Sequence, residues 1–127
     1  MLGSKGDNSF FLLFILFFSQ SLLAQTNDPC NEITGKWKGT MNSGGCSWKL
    51  EATGSIYKDS IMLQMHRYHG RPWLDCVSEN TFALPGVCKD GYITIKTSNR
   101  GIIEGPIQSG TMGLFGSGGI NISLTKV

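Results

Sequence analysis

Ser47-Trp48-Lys49-Leu50-Glu51-Ala52-Thr53-Gly54-Ser55-Ile56-Tyr57 is the stretch whose pattern decides the fold. Trp48, Leu50, Ala52 and Ile56 alternate with Lys49, Glu51, Thr53 and Tyr57. Successive side chains of a strand point to opposite faces, so a period of two puts one apolar face on a core and one polar face in water. The same alternation, broken by glycine, recurs along the chain from about residue 35, and no convincing amphipathic helix interrupts it.

Working outward from this strand, the pattern predicts eight strands: β1 Gly35–Met41, β2 Ser47–Tyr57, β3 Ser60–Tyr68, β4 Phe82–Cys88, β5 Tyr92–Thr97, β6 Ile102–Gln108, β7 Thr111–Phe115 and β8 Ile120–Val127. Turn residues punctuate them: Asn42-Ser43-Gly44-Gly45, Lys58-Asp59, Asp90-Gly91, Asn99-Arg100-Gly101 and Ser117-Gly118-Gly119. Asp90-Gly91 is the strongest hairpin signal. Pro85 argues against β4, because proline suits strand edges and bulges. All links but one are short, which makes neighbours antiparallel and the whole an up-and-down meander. An even strand number lets β8 pair antiparallel with β1. The expected fold is therefore all-β, a small eight-stranded up-and-down antiparallel barrel, with an open sandwich of the same strands as the alternative.

The N-terminal residues read as a secretory signal. Lys5 supplies the positive start, Phe10 to Phe18 the apolar run, and Ala24 a small residue for cleavage before Gln25. Ser19-Gln20-Ser21 interrupts the run before the roughly 20 apolar residues a spanning helix needs. The expected organisation is a signal peptide over 1–24 and one domain over 25–127. The mature chain is expected to be secreted or periplasmic and free of the membrane. The formal net charge is +2 and the lysines are scattered, so nucleic acid is not an expected partner. Asn121-Ile122-Ser123 is the one glycosylation sequon of the mature chain, and matters only in a glycosylating host.

Four cysteines in a small exported domain read as two disulfides. A metal site is the alternative, with His66 and His69 near Cys76, but no two cysteines lie at the close spacing zinc motifs use. No metal and no cofactor is expected. Barrel geometry chooses the pairing. Cys30 precedes β1 and Cys88 ends β4, at one end of the barrel, here the floor. Cys46 precedes β2 and Cys76 lies in the β3–β4 connection, at the other end, the rim. A six-residue strand spans about 20 Å, whereas bridged Cα atoms sit about 4.4–6.8 Å apart. The barrel is therefore stapled by two disulfides, Cys30–Cys88 and Cys46–Cys76.

Gly35-Lys36-Trp37 on the first strand resembles the G-x-W signature of the calycins, the group of lipocalins, fatty-acid-binding proteins and avidins. Cys30-Asn31-Glu32-Ile33-Thr34-Gly35-Lys36-Trp37 is similar to the start of an avidin. The resemblance implies a small barrel in which a basic residue near the end of the last strand packs over the tryptophan. Lys126 is the matching residue, and a cation–π contact with Trp37 is expected. It carries over no biotin site. Glu104-Gly105-Pro106-Ile107 and the Ile120–Lys126 strand also resemble short glycine-punctuated barrel domains of secreted bacterial proteins, whose role is uncharacterised.

The one long connection, 69–81, together with the end of β3 reads His66-Arg67-Tyr68-His69-Gly70-Arg71-Pro72-Trp73-Leu74-Asp75-Cys76. Long loops in compact domains are often functional, and barrel mouths often hold ligands. Arg67, Tyr68, His69, Arg71 and Trp73 are the candidate ligand- or partner-binding residues. By parity Arg67 points inward, and His66 and Tyr68 outward. Alternatively Trp73 merely plugs the barrel top. Trp37, Met41, Trp48, Leu50, Ile56, Leu63, Met65, Ile93, Ile95, Ile103, Ile122 and Leu124 are the expected interior, while Gly39, Gly105 and Gly113 leave open whether it is filled or hollow. No nucleophile elbow, zincin or phosphate-loop motif occurs, and a His66 or His69 dyad with Asp75 is the one acid–base option. The expectation is a binding module and no enzyme. It would bind a small amphipathic ligand at the barrel mouth, or else a secreted protein through residues 66–75.

Overall fold

The computed structural model describes residues 28–99 and 101–127; the expected signal segment 1–24 and its cut before Gln25 lie outside the described residues. Eight antiparallel strands follow one another around a closed barrel: β1 Gly35–Ser43, β2 Cys46–Tyr57, β3 Ser60–Arg71, β4 Glu79–Lys89, β5 Tyr92–Thr97, β6 Gly101–Gln108, β7 Thr111–Gly116 and β8 Ile120–Lys126. β8 pairs with β1, Trp37 lying opposite Lys126 and Met41 opposite Ile122. The open-sandwich alternative is thereby excluded. Both disulfides are those that the barrel ends demand, Cys30–Cys88 and Cys46–Cys76, each with Cα atoms 5.8 Å apart. Two disulfides in one small domain point to an oxidising environment, extracellular or periplasmic. Among the described residues no helix is long and apolar enough to cross a membrane.

The alternation read from β2 holds on every strand, apart from one break near the end of β3. Trp37, Leu50, Leu63, Met65, Ile93, Ile95, Ile122 and Leu124 are almost fully buried inside the barrel, and Ile107, Met112 and Leu114 join them. Ile56 is only half-buried at the floor. The interior glycines are not voids. A Cβ on Gly39 would overlap the Ser123 carbonyl of β8, and one on Gly105 would overlap the Gly113 carbonyl of β7. Here adjacent strands coil so tightly that only hydrogen fits, the use barrels make of glycine at bends. Gly113 itself is exposed, with open space where its side chain would be.

The floor is closed by a short 3-10 turn, Pro29–Ile33, that the alternation pattern does not reveal. The Asp28 side chain accepts from the Cys30 amide and starts it. Ile33 is fully buried beneath the strands, and its carbonyl accepts from the Trp37 indole at 2.9 Å. Lys126 donates to the carbonyls of Glu32 and, at 2.7 Å, Thr34. Its ammonium lies 5.3 Å from the centre of the Trp37 ring. The Glu32 carboxylate in turn accepts from the Gly110 amide at 2.6 Å in the β6–β7 turn. The turn is thus fastened by a covalent bond, a charge-assisted bond and a buried side chain.

Two outcomes follow. Gly39→Ala and Gly105→Ala each force backbone apart and should lower unfolding free energy by about 1–3 kcal/mol or more, while Gly113→Ala should stay within about 0.5 kcal/mol; urea denaturation compares the three. Lys126→Met keeps the stem over Trp37 and removes the charge, so a loss of about 2 kcal/mol is expected for its bonds to two carbonyls. A Lys126→Met protein as stable as the parent would remove Lys126 from the floor lock.

Candidate functional site

β4 and β5 hydrogen-bond through three residue pairs only, Val87–Thr94, Cys88–Ile93 and Lys89–Tyr92. On its other side β4 runs alongside β3 through nine pairs, from Ser60–Val87 to Tyr68–Glu79. The barrel is therefore zipped at the floor and split between β4 and β5 towards the rim. Amide directions alternate along a strand. The Cys88 N–H is used on the β3 side, donating to the Asp59 carbonyl at 2.9 Å. Three residues back, Pro85 then presents its missing N–H to β5. The proline that argues against a strand thus sits in one, on the edge where no ladder continues. At the apex of the split a Cβ on Gly86 would meet Ile95 Cγ1 and the Thr94 carbonyl at 2.7 Å, so β5 leans over Gly86 before parting from β4.

The split opens a cavity of about 450 Å³ in the rim half of the barrel. Its walls are mostly apolar, with Met41, Phe82, Leu84, Ile95, Ile103 and Ile122 among them, and Asn80, Lys96, Thr97 and Ser98 supply polar edges. Two charged residues line it: Lys96 is exposed, whereas Arg67 enters from β3 and is only 9% exposed. Its guanidinium carbon lies 4.2 Å from the centre of the Trp48 ring and 5.5 Å from that of Phe82. Its Nε donates to the Asn80 side-chain carbonyl across the β3–β4 ladder. A guanidinium stacked between rings and oriented by an amide is a fixed cation, weakly hydrated enough to be held in an apolar wall.

The other candidate residues lie elsewhere. The ladder between β2 and β3 shifts register between Ser47–Arg71 and Lys49–Tyr68, so His69 and Gly70 face Trp48 alone. His69 takes a positive φ of 56° in this bulge. Gly70 turns inward against the Trp48 indole, where any Cβ would collide with the ring nitrogen at 2.5 Å. Bulges re-aim side chains, and this one leaves both Tyr68 and His69 on the outer side. It also carries β3 on to Arg71, while β4 begins at Glu79. The expected long connection 69–81 is corrected to 72–78. The ladder recovers its pairing after the extra residue, which a strict period of two cannot foresee.

That loop is pinned to the rim by Cys46–Cys76, by the Trp48 indole donating to the Val77 carbonyl at 2.6 Å, and by the Gly70 amide donating to Ser78 at 3.2 Å. Trp73 stands at its tip, 72% exposed, and does not plug the barrel. Arg67 is thus inside, whereas Tyr68, His69, Arg71 and Trp73 gather along a groove on the outer face of β3. The sheet stands between Arg67 and the other four, because Arg67 and Tyr68 are consecutive on one strand.

On the outer face the His66 ring shares a hydrogen bond of 2.6 Å with Glu79, not with Asp75. It stacks on Tyr68, ring centres 5.1 Å apart, and the Tyr68 hydroxyl donates to Glu51 at 3.4 Å. Partial removal from water, and then the Glu51 carboxylate, push the Tyr68 phenol above its ordinary range. Among the described residues no group of three or more His, Cys, Asp and Glu is placed to hold a metal ion. No protein-family model matches the chain, and no significant match to a curated protein is found.

Trp48 serves both sides, as the ring under Arg67 and as the donor that holds the loop. Trp48→Phe keeps the ring and deletes the donor. It should cost about 1 kcal/mol and speed hydrogen exchange at Gly70; unchanged exchange there would mean the disulfide alone pins the loop.

Proposed function

We propose that this chain is an exported, calycin-like binding module that holds one small amphipathic ligand in the rim cavity between β4 and β5. One observation carries the reading: a mostly apolar cavity of about 450 Å³ opens through a gap in the barrel wall and contains one oriented, nearly buried guanidinium. Small-molecule sites are mostly apolar with a few placed polar groups. The apolar part of a ligand packs against Ile95, Ile103 and Ile122, and its polar or acidic end meets Arg67. The Gly35-Lys36-Trp37 sequence, with Lys126 over the Trp37 ring, supports the calycin likeness. Binding is proposed in preference to catalysis because the His66–Glu79 pair faces away from the cavity, on the opposite side of β3.

Ligand-stripped protein titrated with 1-anilinonaphthalene-8-sulfonate, an amphipathic anion, is expected to bind one equivalent with enhanced fluorescence. Arg67→Met keeps the packing and removes the charge. Loss of a hydrogen-bonded ion contact should weaken the dye roughly tenfold or more. Saturable binding that ignores Arg67→Met, or no binding at all, would overturn this assignment. Native mass spectrometry of freshly purified protein gives an independent test, since a co-purified ligand should appear as one discrete mass increment.

A further inference from the structure

The groove on the outer face of β3 is separate from the cavity and is built as carefully. It measures about 440 Å³ and is lined by His66, Tyr68, His69, Arg71, Trp73 and Glu79, with Gly70 and Ser78 between them. Its rings form a connected platform. His66 stacks on Tyr68, and the Tyr68 ring meets His69 edge-on at 5.0 Å. Trp73 forms the far wall, 72% exposed although the loop beneath it is held by a disulfide and two hydrogen bonds. The bulge at His69 adds one more outward ring than a regular strand would offer.

The charges decide what such a platform suits. Glu51 and Glu79 contribute two carboxylates, already contacted by Tyr68 and His66. Arg71 and Lys49, which lies opposite Tyr68 in the ladder, contribute two cations. A cationic ligand would approach Arg71 and Lys49, and an anionic one Glu51 and Glu79. A neutral ligand pays neither repulsion. The ring faces want an apolar surface against them, while Arg71 and His69 can donate, and Glu79 and Ser78 accept, hydrogen bonds at its edge. A molecule with an apolar C–H face and a perimeter of hydroxyls that both donate and accept meets all of these demands. A protein partner fits less well, because interface centres are depleted of the glutamates and lysines that here interleave the rings.

We propose that this groove is a second binding site, for a neutral saccharide stacked on Tyr68 and Trp73 and hydrogen-bonded by Arg71 and Glu79. It stands independently of the cavity, and either site can exist without the other.

Native electrophoresis through gels containing mixed-linkage glucan, xylan, galactomannan or dextran tests the assignment. At least one polymer should retard the protein, and Trp73→Ala should reduce the retardation roughly tenfold, the effect of losing one stacked aromatic face. Trp73 is solvent-exposed, so the variant should fold, and circular dichroism checks that it does. Phe115→Ala, an exposed ring on β7, should migrate like the parent. Because Trp37 and Trp48 are buried, acrylamide quenching reports chiefly on Trp73, and a retarding oligosaccharide should protect that signal. The site is overturned if none of the four polymers retards the protein, if Trp73→Ala is retarded like the parent, or if acidic polymers such as polygalacturonate alone retard it.

Discussion

The three-pair ladder between β4 and β5 governs the upper half of this molecule. Closing a barrel requires every strand to pair on both sides, and here six of the eight junctions run most of a strand's length, while β6–β7 keeps four pairs with a break between Glu104–Phe115 and Ile107–Met112. At the remaining one Pro85 withholds an amide on the side where β5 should continue. Separating the strands at this point forgoes no hydrogen bond from Pro85, which has none to donate. The separation is what creates interior volume, since small barrels otherwise have just enough room for their own side chains. Arg67 lies beside that volume because it is the last inward position of β3 before the bulge.

A split wall weakens a barrel, and the two ends compensate differently. The floor is dense: the 3-10 turn seals it, Cys30–Cys88 ties that turn to the end of β4, and Lys126 bonds it to β8 and Trp37. The tie to β4 falls on the middle pair of the surviving β4–β5 ladder, Cys88–Ile93, so the cross-link and the remaining pairs reinforce the same place. In the chain-entropy picture, bridges of sequence separation 58 and 30 contribute about 4 kcal/mol each. For a domain this small, net stability is of the order of 5–15 kcal/mol. The rim is instead held by Cys46–Cys76 and the Trp48 indole, both anchored on β2, away from the gap between β4 and β5.

Trp48 couples the two faces of the sheet. Its ring lies against Arg67 inside the barrel, and its indole nitrogen holds the loop that carries Trp73 beside the outer groove. One side chain therefore sets the position of a charged group inside and an aromatic group outside. The arrangement depends on Gly70, since any larger residue there would displace the indole.

Period-two alternation and turn residues determine the strand order, the inward set and, through the parity of the barrel ends, both disulfides. These follow from local rules: side chains alternate, hairpins reverse direction, and cross-links cannot span a strand's length. The inward direction of Arg67 is legible in the same way, whereas the pairing of Trp37 with Lys126 is implied by the resemblance of Gly35-Lys36-Trp37 to the calycin signature. The outward turn of His69 and Arg71, which gathers them with Tyr68, is not legible in this way. It arises from one inserted residue at His69–Gly70, which shifts register only because Trp48, on another strand, has no second partner to offer. Likewise Pro85 marks a strand edge in sequence, but which neighbour it turns away depends on amide direction within the folded ladder. The sealing turn at Pro29–Ile33 is invisible to alternation because its lysine partner is more than ninety residues away. Strands are thus set by their own side chains, whereas the openings between them are set by which strand meets which.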